Sequence, residues 1–146
     1  MSRRFFEGGI VANDYLKSRP NPPAPLVQRV IQYLQEHYEG ELDTAIDVGC
    51  GSGQNTGLIA EYFNNVIGID VSIAQVEAAI KENKSANVRF LVGSAENLTV
   101  DDKSAQLITS STAAHWFNLP LFFAEGQRVL CKNGVLALYC NKLFKL

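Results

Sequence analysis

The chain has few of the features on which membrane, secreted and metal-binding proteins depend. No apolar run in its 146 residues approaches the roughly 18 residues needed to cross a bilayer. Residues 1–10 contain no apolar stretch of the kind that a secretory signal requires. The three cysteines and two histidines form neither a CxxC pair nor a metal-ligand spacing, so no disulfide framework and no zinc site is predicted. We therefore expect a cytoplasmic protein with free thiols, no membrane association and no bound metal.

Charge is also sparse and nearly balanced. Charged residues make up 19% of the chain, hydrophobic residues 47%, and the net charge is −2. Because no basic surface is indicated, we expect no nucleic-acid partner. The composition is that of a globular protein, and a chain of this length can form one core. Residues 1–146 are accordingly interpreted as a single domain.

Short apolar runs rich in β-branched residues alternate with amphipathic segments. Strands are predicted at 44–48, 66–70, 88–92, 107–110 and 135–139, and helices at about 25–38, at 55–63, after Ser72 and after Asn118. Ser72 and Gln75 form a capping-box signature. The predicted apolar faces of the last two helices comprise Ile73, Val76 and Ile80, and Leu119, Phe122, Phe123, Val129 and Leu130. Such alternation predicts an α/β fold, with an open, mostly parallel sheet and flanking helices.

A glycine-rich segment, DVGCGSG at 47–53, follows the first predicted strand. Alternate glycines permit sharp turns and let a ligand approach the backbone, and the next helix begins with unpaired amide donors. The dinucleotide fingerprint G-x-G-x-x-G fails in both registers, because Gln54 and Thr56 stand where its third glycine is needed. A P-loop is excluded because the segment has no lysine. These departures disfavour an NAD-dependent oxidoreductase.

The remaining pattern, Asp-x-Gly-x-Gly-x-Gly, resembles that of the class I, Rossmann-like methyltransferases that use S-adenosylmethionine. The resemblance implies that the acidic residue, Asp47, serves the ammonium group of this cofactor. It also implies that the loop binds the methionine end of the cofactor. The loop residues concerned are Gly49, Cys50, Gly51 and Gly53.

Two later segments extend the same resemblance. Asp70 ends the second predicted strand, where an acidic residue can accept hydrogen bonds from ribose hydroxyls; the alternative is that it only caps the next helix. Val71 is expected at the adenine face. The resemblance implies that Ala95 and Glu96, just after the third strand, meet the adenine edge, and the alternative is an ordinary polar loop.

A narrower resemblance rests on AAHWF at 113–117 and YLKSRP at 15–20. Both are similar to the methyltransferase type 11 group close to trans-aconitate methyltransferase. The resemblance implies that Tyr15, Arg19 and Thr112 lie near the methionine end of the cofactor, although Thr112 stands where that group commonly has glutamine.

The histidine of the AAHWF segment, His115, is the candidate catalytic residue. It could act as a base or as a hydrogen-bond donor to the substrate, because its ordinary pKa is near neutrality. A carboxylate acceptor is already nucleophilic and needs mainly alignment, so His115 could equally position or pack. Trp116 and Phe117 could line the pocket or belong to the core.

The sequence departs from the family after the fifth predicted strand. The resemblance implies seven strands in the order 3-2-1-4-5-7-6, and only five are predicted here. We interpret the chain as C-terminally truncated, and expect self-association through an exposed fifth strand. The predicted function is methyl transfer to a small molecule, a carboxylate by analogy. The alternative is a truncated, inactive chain that acts as an interaction module.

Overall fold

Alternating strands and helices build one layered sheet in the computed structural model, which describes residues 24–111 and 116–139. The helices are α1 (Ala24–His37), α2 (Gln54–Ile59), α3 (Ile73–Glu82) and α4 (Leu119–Val129). The strands are β1 (Thr44–Val48), β2 (Asn65–Asp70), β3 (Val88–Val92), β4 (Ala105–Ser111) and β5 (Leu130–Tyr139). They pair in parallel in the order β3-β2-β1-β4-β5. The predicted α/β fold, with a parallel sheet and flanking helices, is confirmed.

Strand β1 lies at the centre of the sheet and is covered on both faces. Successive strand residues point to opposite faces, so Ala45 packs in one apolar cluster and Ile46 in another. The first cluster contains the buried side of α1, and the second contains Phe122 and Val129 of α4. The carboxyl end of β1 therefore lies at the middle of one edge of the sheet. Open α/β sheets bind their ligands outside the carboxyl ends of the strands.

Helix α2 ends at Ile59, four residues earlier than predicted. The amide of Tyr62 donates to the carbonyl of Ile59 in a tight turn. The side chain of Asn87 then donates to the carbonyls of Ala60 and Phe63, at 2.9 and 2.8 Å. These bonds satisfy carbonyl groups without a further helical turn, which the apolar pattern could not indicate.

The predicted apolar face of α3 is wrong at two of its three positions. Val76 is buried, but its buried neighbour is Ala79, whereas Ile73 and Ile80 are 63% and 57% exposed. Helical geometry puts Ile73 and Ile80 on the same side of Val76, and Ala79 on the other. The sheet contacts the side that carries the small alanine. The capping prediction is confirmed at Ser72, whose hydroxyl accepts from the amide of Gln75 at 3.2 Å.

Helix α4 begins as predicted, with the side chain of Asn118 accepting from the amide of Leu121 at 3.3 Å. Its predicted apolar face is confirmed at Phe122 and Val129, which are fully buried. It is wrong at Leu119 and Phe123, which are 38% and 42% exposed. Since the helix rests on the sheet through one narrow side, these two side chains lie beyond the contact.

Strands β4 and β5 are longer than predicted. Leu130, assigned from the sequence to the helix, instead pairs with Ala105 and begins β5. The register then shifts before Leu107 pairs with Val135, and Asn133 has a φ of 67° in the intervening segment. The irregular segment explains why a strand was predicted only from Val135 onward. The predicted self-association through this strand and the single-domain interpretation of residues 1–146 stay predictions.

None of the helices in the described ranges is long and apolar enough to cross a membrane.

Candidate functional site

The glycine loop lies at the carboxyl end of β1, beside the end of β2. Gly49, Gly51 and Gly53 have φ angles of 70°, 57° and 96°, which residues with a Cβ rarely adopt. The amides of Gly49 and Cys50 both donate to the carbonyl of Ile69, at 2.7 and 3.0 Å. A Cβ placed on Gly51 would meet no heavy atom within 4 Å. The loop therefore leaves open space beside its own backbone.

Asp70 faces this loop from the end of β2 and is half-buried. One carboxylate oxygen accepts from the amide of Gly51 and the other from the amide of Ser72, both at 2.9 Å. Each oxygen has a further lone pair with which it can accept a hydroxyl. Val71 follows with 69% of its surface exposed. An acceptor and an apolar side chain thus stand together at the loop.

Asp47, by contrast, lies beneath the loop and is 1% exposed. Its carboxylate accepts from the hydroxyls of Thr56 and Thr109, at 2.7 and 2.9 Å, and from the amide nitrogen of Asn55 at 3.1 Å. Burial raises the pKa of Asp47 to about 6, against the lowering effect of these bonds, and the Asp70 carboxylate adds to the rise. Asp47 therefore ties the start of α2 to the sheet.

The segment after β3 is joined to the beginning of α4. The side chain of Ala95 is 4% exposed and packs in the core. The amide of Glu96 donates to the hydroxyl of Ser94 at 3.1 Å, and its carboxylate accepts from the amide of Asn118 at 2.8 Å. Ala95 can therefore offer a ligand little besides its backbone, whereas Glu96 retains one carboxylate oxygen without a hydrogen bond to the described residues.

Cys50 is 7% exposed, and burial raises the pKa of its thiol above the ordinary range. A protonated buried thiol is a small packing group and a poor nucleophile. Phe117 packs against Phe122 with ring centroids 5.0 Å apart, which is a core contact. Trp116 is 48% exposed. Four predicted site residues lie outside the described ranges and stay predictions: Tyr15, Arg19, Thr112 and His115.

Sequence reasoning missed the polar residues that surround Asp47. They are Asn55, Thr56, Thr109 and Tyr139. The hydroxyl of Tyr139 donates to the side-chain oxygen Oδ1 of Asn55 at 2.6 Å. Two signals were present in the sequence: α2 opens with the polar residues Gln54, Asn55 and Thr56, and Thr109 directly follows the apolar pair Leu107 and Ile108 in β4. Buried polar groups need partners, so those positions could have been connected to Asp47.

The ring of Phe90 lies against Gly53 of the loop and Gly68 of β2, and it leaves no room for a side chain at Gly68. A Cβ at Gly68 would lie 2.6 Å from Phe90 Cδ1 and 3.1 Å from Cys50 Sγ. We expect Gly68→Ala to lower the free energy of unfolding by about 1–3 kcal/mol through overpacking, as measured by urea denaturation. Gly57→Ala is the matched control, because a Cβ there meets nothing within 4 Å. Equal stabilities for the two variants would contradict the prediction.

Metal binding has no evident basis in the ranges 24–111 and 116–139, where no three His, Cys, Asp or Glu side chains are grouped so as to hold an ion. The groups at the loop are the carboxylates of Asp47 and Asp70, hydrogen-bonded backbone amides and the exposed side chain of Val71.

Comparison with known proteins identifies the family. Residues 46–138 match the methyltransferase domain family Methyltransf_11. A protein of Dictyostelium discoideum that is described as a methyltransferase is 37% identical over 138 residues, which cover 94% of this chain and 50% of the relative. CRG1 of Saccharomyces cerevisiae, described as an S-adenosylmethionine-dependent methyltransferase, is 31% identical over 130 residues, covering 86% of this chain and 43% of the relative.

A solved structure agrees with this result. A protein described as a type II methyltransferase of Anaeromyxobacter dehalogenans has a TM-score of 0.70 and is 32% identical, covering 83% of this chain and 48% of that one. The chain thus spans about half the length of the relatives it matches. The match covers the glycine loop, both carboxylates, the strands β2, β3 and β4 in full, and most of β1 and β5. This chain therefore belongs to the methyltransferase domain family, in which S-adenosylmethionine is the methyl donor.

Proposed function

We propose that this chain binds S-adenosylmethionine and takes part in transferring its methyl group to a small-molecule acceptor. One observation carries the proposal: the amide of Gly51 is bound to the Asp70 carboxylate, while the position of a Cβ on Gly51 is open space. A ligand could therefore contact the loop backbone and an acidic acceptor at the same time. That combination suits a molecule with a polar amino-acid end and ribose hydroxyls.

The charge of the site suits the same molecule. The Asp47 and Asp70 carboxylates belong to adjacent strand ends, and neither has an ion-pair partner within the described ranges. Uncompensated negative charge in a cleft attracts cations. When bound, S-adenosylmethionine brings an ammonium group and an electrophilic methyl group on a positively charged sulfur. A cation is the kind of ligand that would offset the charge of these two carboxylates.

Each residue would have a limited task. The loop glycines and Cys50 would offer backbone groups to the methionine end, with Asp47 supplying negative charge from beneath. Asp70 would accept the ribose hydroxyls, and Val71 would cover one face of the adenine. The adenine edge would meet Ala95 through its backbone and Glu96 through its remaining carboxylate oxygen.

The acceptor is proposed to be a small carboxylic acid, on the resemblance of AAHWF at 113–117 to the trans-aconitate methyltransferase group. A carboxylate is nucleophilic without deprotonation, so alignment with the methyl group would supply most of the rate. We propose His115 as a residue that contacts the acceptor, with Tyr15, Arg19 and Thr112 near the methionine end. Activity towards amines and not acids would overturn the choice of acceptor.

The test of cofactor binding is a calorimetric titration of the chain with S-adenosylmethionine and S-adenosylhomocysteine. We expect binding by the wild-type chain and a loss of about 10- to 100-fold in affinity for Asp70→Ala, because charge-assisted hydrogen bonds to hydroxyls are lost. Asp101→Ala removes an exposed carboxylate from a distant turn and should bind like the wild type. A folded wild-type chain that binds neither compound would contradict the proposal and favour the interaction-module alternative.

A further inference from the structure

A line of hydrogen bonds connects the end of β5 to the carboxylate beneath the glycine loop. The hydroxyl of Tyr139 donates to Asn55 Oδ1 at 2.6 Å, and Asn55 Nδ2 donates to Asp47 Oδ1 at 3.1 Å. The same amide nitrogen lies 3.4 Å from the hydroxyl of Thr109. Asn55 is 5% exposed and Asp47 is 1% exposed, so water has little access to either group.

The donor-to-acceptor direction of these hydrogen bonds determines the orientation of the Asn55 side-chain amide. A carboxylate only accepts hydrogen bonds, so the amide must turn its nitrogen towards Asp47. Its oxygen is then directed away and needs a donor, which the Tyr139 hydroxyl provides. Without that hydroxyl, the oxygen of a buried amide has no donor in the described part of the chain. The amide would then be free to rotate and lose its bond to Asp47.

We propose that Tyr139 is a positioning residue for cofactor binding, which acts through Asn55 to fix the Asp47 carboxylate beneath the glycine loop. This inference rests on the proposed function. Tyr139 itself touches neither Asp47 nor the loop through a hydrogen bond; it pairs with Ser111 at the last register position between β4 and β5. The end of an outer strand is thereby linked to the central loop across β4.

The inference can be tested through the pKa of the Asp47 carboxyl, which depends on the groups that surround it. Asp70 faces it from β2 and Tyr139 from β5, while Cys50 lies in the loop above. The elements α2 and β4 contribute the uncharged groups of Asn55, Thr56 and Thr109. Because Asn55 stabilises the ionised form of Asp47, losing its bond should raise the pKa of that carboxyl further.

The experiment is a calorimetric titration with S-adenosylhomocysteine from pH 5.5 to pH 8 for the wild type, Tyr139→Phe and Tyr62→Phe. Tyr62 is the matched control: it is a half-buried tyrosine that packs against the apolar cluster containing α1, and its hydroxyl makes no hydrogen bond to the described residues. We expect Tyr139→Phe to weaken binding about tenfold at pH 7 and to move the midpoint of the acid-induced loss of affinity to higher pH. Tyr62→Phe should change neither.

A second variant tests the route through the amide. If Tyr139 acts through Asn55, then Asn55→Ala should reproduce the shift of the midpoint, and adding Tyr139→Phe to it should have almost no further effect. A uniform loss of affinity with an unmoved midpoint would overturn the inference, since that is what a purely structural role produces. Wild-type behaviour of Tyr139→Phe would overturn it too. Failure of the wild-type chain to bind at all would instead overturn the proposed function on which it rests.

Discussion

Replacing Gly51 with valine should reduce the affinity for S-adenosylhomocysteine by at least about 100-fold. Two independent causes act at this position. The φ of Gly51 is 57°, and a β-branched residue there is strained by about 1–2 kcal/mol or more. Its side chain would also project into the space beside the loop where a Cβ meets no protein atom within 4 Å. Calorimetry measures the loss of affinity, and urea denaturation measures the strain.

A second substitution separates the two causes. Asparagine tolerates positive φ better than valine, yet it fills the same space. Gly51→Asn should therefore stay closer to the wild type in stability and still lose most of its affinity. Binding by Gly51→Asn at wild-type strength would show that the open space is not used by the ligand. Gly57→Ala, one turn into α2, should bind normally, because it lies outside the glycine loop and a Cβ there meets no heavy atom within 4 Å.

The sequence was most informative where structure depends on neighbouring residues. The predicted bounds of β1 and β3 agree with the structure at both ends, because each is a short run rich in β-branched or aromatic residues and is bounded by turn residues. The glycine loop was equally clear, since alternate glycines are rarely needed elsewhere. The relative order of the five strands required more than local pattern and came from the family resemblance.

Long-range packing was what the sequence did not reveal. The hydrogen bond between Tyr139 and Asn55 joins residues 84 positions apart, so no local pattern could predict it. The start of β5 at Leu130 depends on its pairing with Ala105. Likewise, the choice of Ala79 over Ile80 as the buried neighbour of Val76 depends on how closely α3 approaches the sheet.

Asp47 is the clearest case of a residue whose surroundings were missed although its importance was recognised. The resemblance gives it a role towards a cationic group of the ligand. In the structure it is buried among Asn55, Thr56 and Thr109. Both statements agree if Asp47 acts on the ligand through its charge and on the loop through its hydrogen bonds. Its raised pKa then makes the two roles separable by experiment.

Replacing Asp47 with asparagine should remove about 1.4 kcal/mol of pH dependence from the free energy of unfolding between pH 5 and pH 7.5. Burial raises the pKa of Asp47 from its ordinary 3.8 to about 6 in the folded chain. The folded state therefore holds this proton more tightly than the unfolded state. The resulting stabilisation is complete below pH 3.8 and is lost as the pH rises through about 6. Asparagine has no proton to lose, so its chain lacks this term.

Urea denaturation of both chains at several pH values measures the effect, because the contributions of other ionisable groups cancel in the difference. Asp101→Asn, at an exposed position, should parallel the wild type. A constant difference between the wild type and Asp47→Asn from pH 5 to pH 7.5 would contradict the raised pKa. The expected change means that an ionised Asp47 destabilises the empty domain near neutral pH. A cationic ligand would relieve that cost, so wild-type affinity should be higher at pH 7.5 than at pH 5, and Asp47→Asn should bind weakly at both.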